Sequence, residues 1–158
     1  MFFVVKFLKQ YVKDLWQYYG RCKKAAILYD WINGVSIEDI EKQYSTSPYS
    51  GRISYGDIRR FADITRFHLR SVYQIALIMD IAPKEEKMET LLNQLEIGIP
   101  EVVISLLSLP LRLERGEYLA LYNVNIKTIK DLWAASSDQL KTILGKNRAD
   151  EIENLRPK

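Results

Sequence analysis

The chain has 158 residues, of which 47% are hydrophobic and 27% are charged, and its formal net charge is +3. This composition excludes a disordered chain, because it supplies enough apolar side chains for a packed core, and the length fits one domain or two small ones. A single cysteine, Cys22, excludes a disulfide framework and predicts an intracellular, cytoplasmic protein. No stretch approaches the ~20 apolar residues of a membrane span, and the opening apolar run ends at Lys6, so we expect a soluble protein with no membrane partner.

Helical periodicity dominates the first half of the chain. It predicts helices over residues 2–19, 21–34, 35–44 and 55–80. Gly20 and Gly34 stand where helix stops are expected. Ser36 and Asp39 have capping-box spacing at the start of the third helix. The turn-rich stretch 45–54 then separates this helix from the long one that follows.

The helices of the second half are shorter. Apolar spacing and start signals predict them over residues 84–99, 100–109, 110–122, 128–135, 136–144 and 148–155. Pro100 and Pro110 mark two helix starts, and Thr128 with Asp131 has capping-box spacing. We therefore predict an all-α fold in which a bundle of long helices, residues 1–82, precedes a short-helix domain, residues 83–158.

The long helix at 55–80 carries an aromatic side chain on a basic face. Its apolar stripe consists of Ile58, Ala62, Thr65, Leu69, Val72 and Ala76. Arg60 and Phe67, seven residues apart, share the opposite stripe with Asp63, Ile64 and Arg70. An exposed aromatic can stack on nucleic-acid bases, and an arginine can stack or pair with phosphate, so this face permits a nucleic-acid surface. The alternative is that further helices cover this face and Phe67 belongs to the core.

Motifs for catalysis are missing from the sequence. It contains no GxxxxGK[ST] phosphate loop, and one histidine with one cysteine cannot supply a zinc site. His68 is interpreted as a surface or packing residue. Cys22 has basic neighbours but no identifiable partner base. We expect no catalytic residues, no metal and no cofactor, and by itself the chain is not expected to be an enzyme.

The stretch "LKTILGKNRADEIENL", residues 140–155, has the form of a helix–hairpin–helix motif. Gly145 permits a tight turn, and the small Ala149 lets the two helices approach closely. The free N–H groups that begin the second helix favour an anion, and Lys146 and Arg148 add positive charge. This pattern predicts phosphate binding, and the alternative is a purely structural hairpin.

Five stretches in order resemble the C-terminal accessory region of superfamily-two DNA repair helicases of the archaeal and HELQ type. They are "AAILYDWINGVSIEDIEKQY", "GDIRRFADITRFHL", "LLNQLEIGIPEVVISLLSL", "LYNVNIKTIKDLW" and "LKTILGKNRADEI". In that family a ratchet helix lies along the translocating single strand, and an arginine and an aromatic two turns apart contact bases. The resemblance implies these roles for Arg60 and Phe67. It also implies DNA-backbone contact by the terminal helix–hairpin–helix domain.

The sequence departs from the family at two places. An upstream hairpin carries Arg112-Leu113-Glu114 where the family tends to have glycine, a hydrophobic residue and glycine, so we do not expect it to bind phosphate. The motor domains that would hold ATP and Mg²⁺ are not in this sequence. The chain is therefore expected to be either a fragment of a larger helicase or a free-standing relative.

Three functions follow from these patterns. The first is an accessory module that guides single-stranded or branched DNA during repair, with bases contacted by Arg60 and Phe67. Its predicted nucleic-acid-binding residues are Arg59, Arg60, Arg66, Phe67, Arg70, Gly145, Lys146, Asn147 and Arg148. The second is a protein-interaction module that docks a helicase motor or a replication or repair partner. The third treats the basic segment 1–24 as an amphipathic helix for membrane surfaces, although it fits a bundle helix equally well.

Overall fold

The structure is a computed structural model that describes residues 14–47 and 51–156. Throughout these two ranges the regular structure is helical, and the all-α prediction is confirmed. The helices are α1 (Leu15–Ile32), α2 (Ile37–Tyr44), α3 (Tyr55–Ile78), α4 (Glu85–Ile97), a 3₁₀ helix (Glu101–Ser108), α5 (Arg115–Asn123), α6 (Ile129–Ala134), α7 (Ser137–Leu144) and α8 (Lys146–Asn154).

Helices α1 to α4 pack around a first hydrophobic cluster. Its buried members are Ile27, Leu28, Trp31, Ile40, Ile58, Ala62 and Leu95. The indole N–H of Trp31 donates to the Leu95 carbonyl at 2.9 Å, which satisfies the one polar atom of this buried side chain. This cluster buries the apolar side of the first half of α3 and leaves the opposite side of that helix to solvent.

A second cluster is built from the 3₁₀ helix and α5 to α8. Its buried members include Ile99, Val103, Leu106, Tyr118, Leu121, Leu132, Leu140, Ala149 and Ile152. The two clusters divide near Gly98, which ends α4 in the left-handed conformation at φ 80°. Helix α4 follows the predicted domain boundary at residues 82 and 83, yet its Leu95 belongs to the first cluster. The boundary itself stays a prediction.

Helix α1 differs from its predicted form, because it continues through Gly20 instead of ending there. Asp14 caps its start by accepting from the N–H groups of Trp16 and Gln17. A glycine inside a helix costs only about 1 kcal/mol relative to alanine, so a helix held by a cap and a buried face tolerates it. The predicted helix over 2–19 lies largely outside the described residues.

Three later helices also differ from the prediction. The segment after Pro100 is 3₁₀ rather than α-helical, and α5 begins at Arg115 rather than at Pro110. The later start is set by a capping box, in which the Glu117 carboxylate accepts from the Glu114 N–H at 2.6 Å. The final turn is shorter than predicted, since α8 begins at Lys146 and Gly145 alone joins it to α7.

Among the described residues no single helix combines the length and apolar character of a membrane span. Only α4 and the 3₁₀ helix taken together reach that combination, and they are bent by 88° relative to each other.

Candidate nucleic-acid interface

Helix α3 presents an arginine and an aromatic to solvent on one face. Ser54 and Asp57 form a capping box at its start, and Ile58 and Ala62 are buried. Arg60 has 64% of its side chain exposed, and Phe67 is 68% exposed. Seven residues of α-helix rise by about 10 Å, so these two side chains are two turns apart. The alternative in which Phe67 belongs to the core is contradicted by its exposure.

Arg60 is held in place without being covered. Its guanidinium pairs with Asp57 at 2.8 Å and lies 5.7 Å from the centroid of the Phe61 ring. The pKa of the Asp57 carboxyl lies below its usual range because the Ser54 hydroxyl and N–H donate to it and Arg60 stands nearby. These contacts orient Arg60 and leave most of its donors available to a ligand.

Arg59 and Arg66, two of the predicted nucleic-acid-binding residues, contact α4. The Arg59 guanidinium donates to the Glu96 carbonyl, and Arg66 pairs with the Glu96 carboxylate. Arg66 also lies 3.5 Å from Asp63, and only 15% of its side chain is exposed. The structure therefore places both arginines at the α3–α4 contact, whereas Arg70 is exposed.

The second half of α3 differs from the predicted apolar stripe. Val72 was expected in the core, yet it is 59% exposed. The residues of α3 that are fully buried, Ile58 and Ala62, lie in its first half, so the helix extends beyond the elements that cover it. Exposed apolar side chains continue to the end of this segment at Ile75, Leu77, Ile78, Met79 and Ile81.

At the other end of the chain, α7, Gly145 and α8 form a tight pair that we call the terminal hairpin. Gly145 adopts φ 83° and ψ 162°, a conformation that other residues rarely reach. The buried Ala149 and Ile152 pack α8 into the second cluster. Lys146 and Asn147 are exposed at the start of α8.

Arg148, the next predicted phosphate ligand, is paired with two carboxylates. Its guanidinium lies 2.7 Å from Glu117 and 2.8 Å from Glu151. Hydrogen bonds to both carboxylates raise the pKa of Arg148. Burial alone raises the pKa of Glu117, but the Arg148 hydrogen bond, the Glu114 N–H and the Arg148 charge outweigh it and the pKa is lowered. Arg148 thus joins α8 to α5.

The upstream hairpin contains a residue that the sequence reasoning missed. Leu113 is buried, and Arg115 turns back toward the first cluster. Its guanidinium donates to the Gly98 carbonyl at 2.8 Å and to the Val35 carbonyl at 2.7 Å. No local motif marks such a residue, because its partners lie 17 and 80 positions away along the chain.

The structure provides little for catalysis in the part of the chain that it describes. No three histidine, cysteine, aspartate or glutamate side chains group there as metal ligands would. His68 lies edge-on to Phe67, with the ring centroids 5.6 Å apart, and Cys22 is exposed.

The described residues define an all-helical domain that exposes an arginine and an aromatic on one long helix. The family model that describes domain 4 of archaeal helicases matches residues 5–98, and the chain belongs to that family. This confirms the resemblance to the C-terminal accessory region of archaeal superfamily-two helicases.

Three relatives, each named ATP-dependent DNA helicase Hel308, show the same likeness. The protein of Thermococcus kodakarensis is 27% identical over 129 residues, covering 80% of this chain and 11% of the relative. That of Methanocaldococcus jannaschii is 31% identical over 131 residues, covering 82% and 10%. That of Thermoplasma acidophilum is 29% identical over 126 residues, covering 78% and 17%. The chain therefore spans between a tenth and a fifth of the length of these relatives.

Proposed function

We propose that this chain is a nucleic-acid-binding accessory module of a helicase, which guides single-stranded or branched DNA during repair. The observation that carries the proposal is the pairing of Phe67 and Arg60 on one open face of α3. The Phe67 ring is 68% exposed, so it offers a flat surface on which a base can stack. Membership in a helicase family supports a nucleic-acid ligand.

The two side chains supply complementary contacts. Stacking of a base on an aromatic ring contributes about 1–3 kcal/mol, and an arginine adds stacking or a bidentate phosphate contact. Arg70, exposed on the same helix, extends the positive charge. Arg59 and Arg66 support this face indirectly, since their contacts with Glu96 fix α3 against α4.

The terminal hairpin is proposed as a second contact to the DNA backbone. Lys146 and Asn147 are its exposed polar residues, and Gly145 leaves the start of α8 open to a phosphate. Arg148 joins this contact only when it releases Glu117 or Glu151. ATP, Mg²⁺ and any ATP-driven unwinding belong to motor domains outside this chain, which itself acts by binding.

Fluorescence anisotropy with a labelled single-stranded oligonucleotide at 50 mM salt tests the proposal. We expect Phe67→Ala to weaken binding about 5- to 150-fold, the equivalent of one lost stacking contact. The matched control is Val72→Ala, which removes an exposed apolar side chain from the other side of the same helix. Equal affinities for the two variants, or no binding by the folded wild-type chain, would overturn the proposal.

A second function, docking of a protein partner, is favoured by the exposed apolar end of α3. Ile75, Ile78, Met79 and Ile81 are each more than half exposed. Such a patch suits the surface of a helicase motor or of a replication or repair protein. Isothermal titration of the chain against a purified motor fragment checks this function, and Ile78→Asp should abolish the heat signal while leaving oligonucleotide binding unchanged.

A further inference from the structure

A small cavity lies where α1 approaches the start of α3. Its volume is about 240 Å³, and its lining includes Lys23, Lys24, Asp57, Arg52, Arg60 and Phe61. The four cations come from three separate parts of the chain: α1, the loop before α3, and α3 itself. Their convergence is therefore a product of the tertiary fold rather than of one basic run.

Two carboxylates pair with the arginines of this cavity, and each also accepts a hydrogen bond from another group. Asp57 accepts from Ser54 within the capping box and is shared with Arg60. Arg52 has Glu41 as its only ion-pair partner among the described residues, at 3.9 Å, and the Glu41 carboxylate also accepts from the Tyr55 N–H. Lys23 and Lys24 form no ion pair with any described carboxylate. The cavity thus carries uncompensated positive charge.

The Phe61 ring connects the two sides of the cavity. The Lys24 ammonium lies 5.3 Å from its centroid, and the Arg60 guanidinium lies 5.7 Å from it. Both cations are attracted to the electron-rich ring, which holds them beside the cavity. A phosphate in the cavity can accept charge-assisted hydrogen bonds from such cations.

We propose that this basic cavity is a phosphate-binding site for the nucleic-acid backbone, and that it continues the path of the strand from Phe67 past Arg60 to α1. The proposal rests on the proposed function, because Arg60 belongs to both sites. In this arrangement Phe67 receives a base, and Lys23, Lys24 and Arg52 receive the phosphates that follow toward the start of α3. Lys23 and Lys24 are the last two cations of the basic segment 1–24.

The first test measures the salt dependence of oligonucleotide binding. Each phosphate contact on a single strand contributes about 0.7 to the slope of log affinity against log salt, so Lys23→Gln/Lys24→Gln should lower the slope by about 1.4. When the salt concentration rises from 50 to 200 mM, the fold-loss of affinity should therefore be about seven times smaller for the variant than for the wild type. Lys84→Gln/Lys87→Gln, which removes two exposed lysines from the start of α4, is the charge-matched control.

The second test uses tripolyphosphate as the probe and amide chemical shifts as the readout, so that it does not depend on oligonucleotide binding. We expect shifts confined to the surroundings of Lys23, Lys24, Arg52 and Arg60, and their loss in Lys23→Gln/Lys24→Gln. Tripolyphosphate binding there without oligonucleotide binding would uphold an anion site at the cavity, and it would overturn both the nucleic-acid backbone as its ligand and the proposed function. The cavity proposal alone would be overturned by a different combination of results. Oligonucleotide binding would depend on Phe67, the salt slope of Lys23→Gln/Lys24→Gln would equal that of the control, and tripolyphosphate would shift no amide at the cavity. If neither ligand binds, both proposals fail.

Discussion

The guanidinium of Arg115 lies 4.2 Å from the centroid of the Trp31 ring and joins the two halves of the molecule. Trp31 belongs to the first cluster, whereas Arg115 begins α5 in the second. The same guanidinium satisfies the carbonyls of Val35 and Gly98. Burial lowers the pKa of Arg115 to about 10, so the side chain remains charged at neutral pH. The contact combines a desolvated cation–π pair with two charge-assisted hydrogen bonds.

Arg115→Lys is expected to lower the free energy of unfolding by about 1–3 kcal/mol, because an ammonium cannot stack on Trp31 and reach both carbonyls together. Urea denaturation followed by tryptophan fluorescence measures the change. Arg112→Lys, at an exposed position three residues earlier, should leave the midpoint nearly unchanged. Equal denaturation midpoints for the two variants would show that the Arg115–Trp31 contact does not contribute to stability.

Gly98→Ala should be strongly destabilising, by about 3 kcal/mol or more, because strain at positive φ adds to a steric clash. An added Cβ would lie 2.2 Å from the Trp31 ring, which is buried and hydrogen-bonded to Leu95 and therefore unable to yield. Gly116→Ala is the control, since that position is helical and open, and it should stabilise α5 by about 0.5–1 kcal/mol. Thermal denaturation distinguishes the two, and a similar melting temperature for both would contradict the geometry.

Glu117→Gln should cost about 1–2 kcal/mol at pH 7, because it removes the charge opposite Arg148 at the α5–α8 contact. The folded-state pKa of Glu117 is lowered, so its contribution is complete above the unfolded value of about 4.3 and is lost as the pH falls through the folded value. The stability gap between wild type and variant should therefore close toward pH 3.

The control for this experiment is Glu151→Gln, which removes the more exposed partner of Arg148. An exposed pair contributes at most about 1 kcal/mol, so this variant should be less destabilised than Glu117→Gln at pH 7. A gap for Glu117→Gln that stays constant from pH 7 to pH 3 would refute the assigned charge contribution.

Gly145→Ala should destabilise the terminal hairpin by about 1–3 kcal/mol through backbone strain alone, since no atom lies within 4 Å of an added Cβ. Gly20→Ala has the same open surroundings but a helical backbone, and it is expected to raise stability by about 0.5–1 kcal/mol. Changes of opposite sign in the free energy of unfolding, measured by urea titration, would show that the Gly145 backbone conformation requires glycine. If Gly145→Ala also stabilises the chain, the turn does not require glycine.

Local signals predicted most of the helix starts correctly. Ser36 and Thr128 were expected to cap helices because each has capping-box spacing with a residue three positions later, and each side chain accepts a hydrogen bond from the N–H of that residue. The Ser136 hydroxyl accepts from the Gln139 N–H in the same way. Both partners in such a cap lie within one turn of chain, so sequence is sufficient to find them. The later start of α5 escaped prediction because Pro110 was the stronger apparent signal.

The sequence by itself determined the all-α class, the capped helix starts and the placement of Arg60 and Phe67 on one stripe of α3, because all three depend on neighbours within a few residues. The tertiary structure alone decided which cations remain available. Arg59 is bound by the Glu96 carbonyl, and Arg66 and Arg148 are bound by the Glu96 and Glu117 carboxylates, all 30 to 37 positions away along the chain. Lys23, Lys24 and Arg60 instead converge on one cavity. The physical reason is that a helical pattern specifies only the face on which a charge lies, while its partner is specified by which distant element packs against that face.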